Sequence, residues 1–186
     1  MRLPVLPVLP VLPVLLTVFA LGAASPALAQ TPVPAAPAAA TPAVPKGVAV
    51  AEARTWLIGL GGTVAEPTTN GMAQVLTIAD EPLPWTLTFY NCPGAGLCDD
   101  VQYSAVFSGP ITLEQVNAWN RENRYLKAFF VPGATPAEAG AVVQYDVVLT
   151  ATGTQPLQEP TVIWLQMLRT FAQGLAQAAT SAPAAQ

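Results

Sequence analysis

Phe89-Tyr-Asn-Cys-Pro-Gly-Ala-Gly-Leu-Cys-Asp-Asp-Val-Gln-Tyr-Ser-Ala-Val-Phe107 reads as two strands joined by a cysteine-flanked turn. The first strand begins upstream, at Trp85. Trp85, Leu87 and Phe89 fall on one side, and Thr86, Thr88 and Tyr90 on the other. Val101, Tyr103, Ala105 and Phe107 repeat the alternation. A period of two means one buried and one open face. Pro93, Gly94 and Gly96 supply turn chemistry, so an antiparallel hairpin across Cys92 to Cys98 is predicted.

The flanks extend this reading. Val48 to Leu60 has helical spacing, with Ala53, Trp56, Leu57 and Leu60 on one face and Gly61-Gly62 as the stop. Thr63 to Glu66 reads as a short strand, Thr69-Asn70-Gly71 as a turn, and Met72 to Ala79 as a strand. Thr112-Leu-Glu-Gln115 is a capping box that opens a helix to about Glu122, with Leu113, Val116 and Trp119 as a thin apolar stripe. Tyr125 to Val131 is a strand. Pro132 to Gly140 is a loop in which Thr135-Pro-Ala-Glu138 forms one capped turn. Ala141 to Thr152 is a long strand whose core face is Val143, Tyr145, Val147 and Leu149. Pro156 to Gln177 is a helix with Trp164, Leu168, Phe171 and Leu175 at helical spacing. The order is α-β-β-β-β-α-β-β-α. Runs of adjacent strands imply an α+β fold, an antiparallel sheet with helices on one face.

The termini are of another kind. Arg2, the apolar stretch Leu3 to Ala20 and the Ala27-Leu28-Ala29 motif describe a secretory signal over residues 1–29. Cleavage between Ala29 and Gln30 is expected. Four Leu-Pro-Val units oppose a retained membrane helix, because each Pro costs a helix ~3 kcal/mol. Residues 30–46 are almost wholly Ala, Pro, Thr and Val, which predicts an extended spacer. Residues 178–186 share that composition and are expected to be a disordered tail. The folded domain is then residues 47–177.

Eleven acids and seven bases give a net charge of −4; losing Arg2 with the signal takes this to −5. Sparse, interleaved cations argue against nucleic acid as a partner. The chain has no histidine, which removes the commonest general base and zinc ligand, and with them any Ser-His-Asp or Cys-His arrangement in this chain.

The hairpin together with Asn117-Ala-Trp-Asn120 resembles the YbjN family of small bacterial domains. The likeness covers about Ala53 to Gln173. It implies a fold similar to type III secretion chaperones and a regulatory or chaperone-like role without catalysis. The chain departs from cytoplasmic members in its signal and spacer, and its Pro132 to Gly140 loop is longer and less charged than the acidic turn of many members.

Cys92 and Cys98 are the only cysteines, and in an exported chain they are expected to form a structural disulfide. A redox pair would favour C-x-x-C, and a metal would need further soft ligands. Asp99 and Asp100 are adjacent in a strand, so they point to opposite faces and cannot flank one bond. No spaced calcium loop surrounds them. Asn117, Asn120 and Arg124 share a helical face at i, i+3, i+7, with Trp119 a third of a turn away. They are read either as a polar rim for a partner or as local packing and capping. The open sheet face carries Thr86, Thr88, Tyr90, Gln102, Ser104, Gln144, Asp146 and Thr150, with Val106 and Val148 as apolar footholds. Such a surface suits an extended protein segment better than a small molecule.

The expectation is therefore an exported binding module, periplasmic or secreted, with no cofactor, no metal, no catalytic residues and no stable membrane insertion after cleavage. Its candidate surface is Tyr90, Val148, Asn117, Trp119, Asn120 and Arg124. Two alternatives stand beside it. One is a small hydrolase in which Asp146 or another acid converges with Asp99 or Asp100. The other is a purely structural envelope protein.

Overall fold

The computed structural model describes residues 44–93 and 96–181. The expected signal, its Ala29–Gln30 junction, the spacer through residue 43, Gly94 and the chain beyond residue 181 lie outside the described residues.

Among the described residues, eight strands and three α-helices follow one another. They are β1 (Val48–Ala49), α1 (Val50–Gly59), β2 (Thr68–Asn70), β3 (Ala73–Ile78), β4 (Trp85–Tyr90), β5 (Leu97–Cys98), β6 (Asp100–Ser108), α2 (Leu113–Glu122), β7 (Lys127–Val131), β8 (Gly140–Val148) and α3 (Gln158–Ser181). Six strands form one antiparallel sheet in the order β2-β3-β4-β6-β8-β7. β1 and β5 form a separate two-residue ladder. The protein is α+β, with the sheet packed on helices.

The register explains which side is covered. Leu76, Leu87, Tyr103 and Tyr145 lie in one row across four strands, and Phe89, Val101 and Val147 in another. These rows meet α1 through Ala53 and Leu57 and α3 through Trp164, Leu168 and Phe171. Trp164 is fully buried, with its ring centroid 5.7 Å from Tyr103 and 6.1 Å from Trp85. The Tyr103 hydroxyl meets Thr161 Oγ1 at 2.8 Å. Burial pushes the Tyr103 hydroxyl far above its ordinary pKa, so it stays neutral and able to donate. The indole nitrogens of Trp85 and Trp164 are buried without a hydrogen-bond partner.

Several local expectations need correction. Thr63 to Glu66 is not a strand; Val64 makes one isolated bridge to Ile78. The outermost strand is instead Thr68–Asn70, which the Thr-Asn-Gly composition marks as a turn. Its true turn is Gly71-Met72, with Gly71 at φ +61°. Leu60 and Leu113 are exposed rather than in the core; each sits at a helix end. The last strand stops at Val148, so Thr150 lies beyond it. Thr135 precedes a one-turn helix but makes no side-chain cap. α3 runs to Ser181, past the expected end at Gln177, because an Ala-rich sequence propagates a helix already started by packing.

The start of the domain is also earlier than expected. Thr152 donates its hydroxyl to the Pro45 carbonyl, and the Lys46 ammonium lies 2.8 Å from the Asp99 carboxylate. Gly47 donates to Ala151 O and accepts from Gly153 N–H. A Cβ at Gly47 would come within 2.5 Å of Cys98 O, and its φ is +101°, so only glycine fits there. Pro45 and Lys46 thus belong to the domain rather than to a spacer.

Candidate binding surface

The face of the sheet opposite α1 and α3 has no described element over it. Tyr90, Asp100 and Val148 form a row across β4, β6 and β8. Tyr90 and Val148 are exposed on it, two strand spacings, or roughly 10 Å, apart. Asp100 stands between them, so the two are co-facial without touching.

A polar chain occupies the centre. Gln102 Nε2 donates to Asp146 Oδ1 at 2.7 Å, and Gln144 Nε2 donates to Gln102 Oε1 at 3.0 Å. Beyond it the surface turns apolar. Val106, Val142 and Phe129 share a row across β6, β8 and β7. Val106 is 70% exposed, Phe129 55% and Val131 42%. This patch is larger than the single valine expected at this end of the face, because Val142, Phe129 and Val131 join Val106, whereas Val148 lies at the other end. The signal was the alternation Lys127, Phe129, Val131 against Ala128, Phe130; reading Tyr125 to Val131 as a strand without assigning its faces passed over it.

The helix candidates divide. Trp119 and Asn120 pin α2 to the edge strand β7. Trp119 Nε1 donates to Leu126 O at 2.9 Å, and its ring meets Phe171 edge-on at 5.0 Å. Asn120 is a two-sided clamp: Nδ2 donates to Ala128 O and Oδ1 accepts from Ala128 N–H, both at 2.9 Å. The amide occupies the place of a neighbouring strand and covers part of the sheet edge. Lys127 caps the helix by donating to Asn120 O and Asn123 O. Thr112 and Gln115 form the capping box at the other end. Asn117 is exposed. Arg124 is exposed and stands 5.6 Å from the Tyr125 ring centroid. The structure therefore brings Tyr90 and Val148 to the sheet face and assigns Trp119 and Asn120 to the packing of the edge.

Cys92 and Cys98 are disulfide-bonded, with Cα atoms 4.0 Å apart. The bond closes the turn that carries β5, and so it supports the ladder to β1. Asp99, adjacent to the bond, is buried rather than solvated. It pairs with Lys46 and accepts from Asn91 Nδ2. The Lys46 hydrogen bond, then that of Asn91, holds its carboxyl below the ordinary value against the cost of burial. Asn91 takes φ +47°, a conformation asparagine tolerates.

Asp99, Asp100 and Asp146 do not converge on one cleft. Asp99 points into its ion pair. Asp100 and Asp146 are diagonal neighbours on the open face, two residues out of register, with Asp146 engaged by Gln102. Among the described residues, no group of three or more Asp, Glu or Cys side chains is placed to hold a metal, and no helix is long and apolar enough to cross a membrane.

No family model and no curated protein matches the chain. Among solved structures, the crystal structure of YbjN from E. coli, a proposed transcription regulator, is similar at 16% identity. The match covers 67% of this chain and 84% of that one, with a TM-score of 0.40. The fold class above rests on this chain's own topology. The chain is similar to YbjN, the family that its Phe89 to Phe107 and Asn117 to Asn120 segments resemble.

Proposed function

We propose that this protein is an exported, non-catalytic binding module that holds an extended protein segment on its uncovered sheet face, in an envelope regulatory or chaperone-like role. The observation that carries this reading is the row Val106, Val142 and Phe129, continued by Val131, beside the Gln102, Asp146 and Gln144 chain. Apolar footholds next to polar side chains with remaining hydrogen-bonding capacity suit a chain that offers both side chains and main chain. Export is supported by the signal-like residues 1–29 and by the Cys92–Cys98 bond, since such bonds persist in oxidising compartments.

The test is site-specific photo-crosslinking in the intact cell envelope. A photo-reactive residue at Val106 or Phe129 is expected to yield one discrete protein adduct. The same probe at Val162, exposed on α3, is expected to yield none. Equal labelling from both positions, or from neither, defeats the assignment. Intact mass of the envelope form is expected to start at Gln30; retention of Met1 or Arg2 on a membrane-bound product defeats export by cleavage.

A further inference from the structure

On the covered side of the molecule a cavity of about 260 Å³ opens between the end of α1, the β3–β4 connection and α3. Leu57, Ile78, Trp85, Leu165 and Leu168 form its apolar wall. Thr161, Leu165 and Arg169 line it at i, i+4, i+8, one stripe of α3. Asp80 and Glu81 stand on the rim contributed by the β3–β4 connection.

Trp85 lines the cavity, and its indole N–H is buried without an acceptor. Tyr103 and Thr161 share a single hydrogen bond, and each hydroxyl carries a proton. One of those two protons therefore has no acceptor among the described residues. Arg169 forms no ion pair with any described residue. Asp80 already accepts from Thr63 N–H at 3.0 Å, whereas Glu81 is exposed and unpaired among the described residues.

The rim thus offers a cation from α3 and carboxylates from the β3–β4 connection, above an apolar wall. We propose that this cavity binds a free amino acid with a large apolar side chain. Its carboxylate meets Arg169 at the rim. Its ammonium meets Glu81 and Asp80. Its side chain lies among Leu57, Ile78 and Leu165. The volume falls just below the ~300–1,000 Å³ of drug-sized sites, which suits a ligand of this size. The site lies on the helical side of the sheet and does not depend on the reading of the open face.

The experiment is calorimetric titration of the full chain with three probes: L-phenylalanine, 3-phenylpropanoate, which lacks the amine, and phenethylamine, which lacks the carboxylate. L-leucine checks that one ring's shape is not decisive. The expected result is saturable binding of L-phenylalanine or L-leucine, with each truncated probe at least tenfold weaker than L-phenylalanine. R169M is expected to weaken L-phenylalanine and 3-phenylpropanoate but to leave phenethylamine unchanged. E81Q is expected to weaken L-phenylalanine and phenethylamine but to leave 3-phenylpropanoate unchanged. Both positions are exposed, so both variants are expected to fold, and near-native thermal unfolding is the control. Absence of binding by either amino acid at millimolar concentration overturns the proposal. So does 3-phenylpropanoate binding as well as L-phenylalanine, or indifference of all probes to both variants.

Discussion

The Asn120 clamp makes a prediction that can be worked to a number. Asn120→Ala removes two neutral hydrogen bonds, both 2.9 Å long, from Ala128 N–H and C=O. A net ~1 kcal/mol for each gives about 2 kcal/mol if neither group is replaced by water. The site is only part-buried, so water recovers some of that loss, and about 1–2 kcal/mol is expected. For a domain of this size that corresponds to a fall in Tm of roughly 4–10 °C. The natural control is Asn117→Ala, one turn away on the same helix and exposed; it is expected to stay within ~0.5 kcal/mol of wild type. Urea unfolding followed by tryptophan fluorescence measures both. Amide exchange adds a local readout: the Ala128 amide is expected to lose protection in the Asn120 variant while Tyr103, in the central strand, keeps its own. An Asn120 variant as stable as wild type, or a costly Asn117 variant, refutes the clamp and returns this helix face to the binding candidates.

Replacing Cys92 and Cys98 together with Ser is expected to cost ~2 kcal/mol, the closure entropy of so short a loop, with the six-stranded sheet intact by circular dichroism. Free thiols in envelope-derived protein show instead that the bond does not form there. Tyr90→Ala with Val148→Ala is expected to weaken crosslinking at the open face with under ~1 kcal/mol of stability lost. Val101→Ala, at a fully buried position, is expected to cost ~1–3 kcal/mol. The reverse ranking defeats the assignment of faces. The Asp99 carboxyl has a lowered pKa, so its contribution is fully present above the unfolded value near 3.8 and lost as pH falls through its folded value. The stability gap between wild type and Lys46→Met is therefore expected to shrink on acidification below ~pH 4. A gap constant across that range contradicts the ion pair.

How far these features could be read from sequence depended on how local their causes are. The β4–β6 hairpin was legible because alternation and turn chemistry are both short-range. The α2 start was legible because a capping box spans only four residues. β2 was not: Thr68, Thr69 and Asn70 carry no apolar alternation, and the strand exists only because β3 offers it an edge. Asp99 looked like a solvated turn acid because Lys46 lies far away along the chain. The roles of Trp119 and Asn120 were open because a helix face does not reveal that a strand edge will lie beside it. Phe129 was missed for a similar reason, since its exposure follows from which strands β7 lacks as neighbours. The cavity beside Trp85 has no sequence signature, because its parts come from three separate segments.

The clamp around Pro45 to Ala49 has a mechanical consequence. Tension applied to the chain on the N-terminal side of residue 45 enters the domain where β1 meets β5, where Lys46 holds Asp99, and where Gly47 is bonded to both Ala151 and Gly153. Those contacts deliver the load to the ends of β6 and β8, two interior strands of the sheet. The Val106 patch lies six residues further along β6, or roughly 20 Å from that anchor. The α2 clamp on β7 lies outside this load path. A pull from that side would therefore strain the disulfide turn first, and leave the apolar patch and its edge strand undistorted.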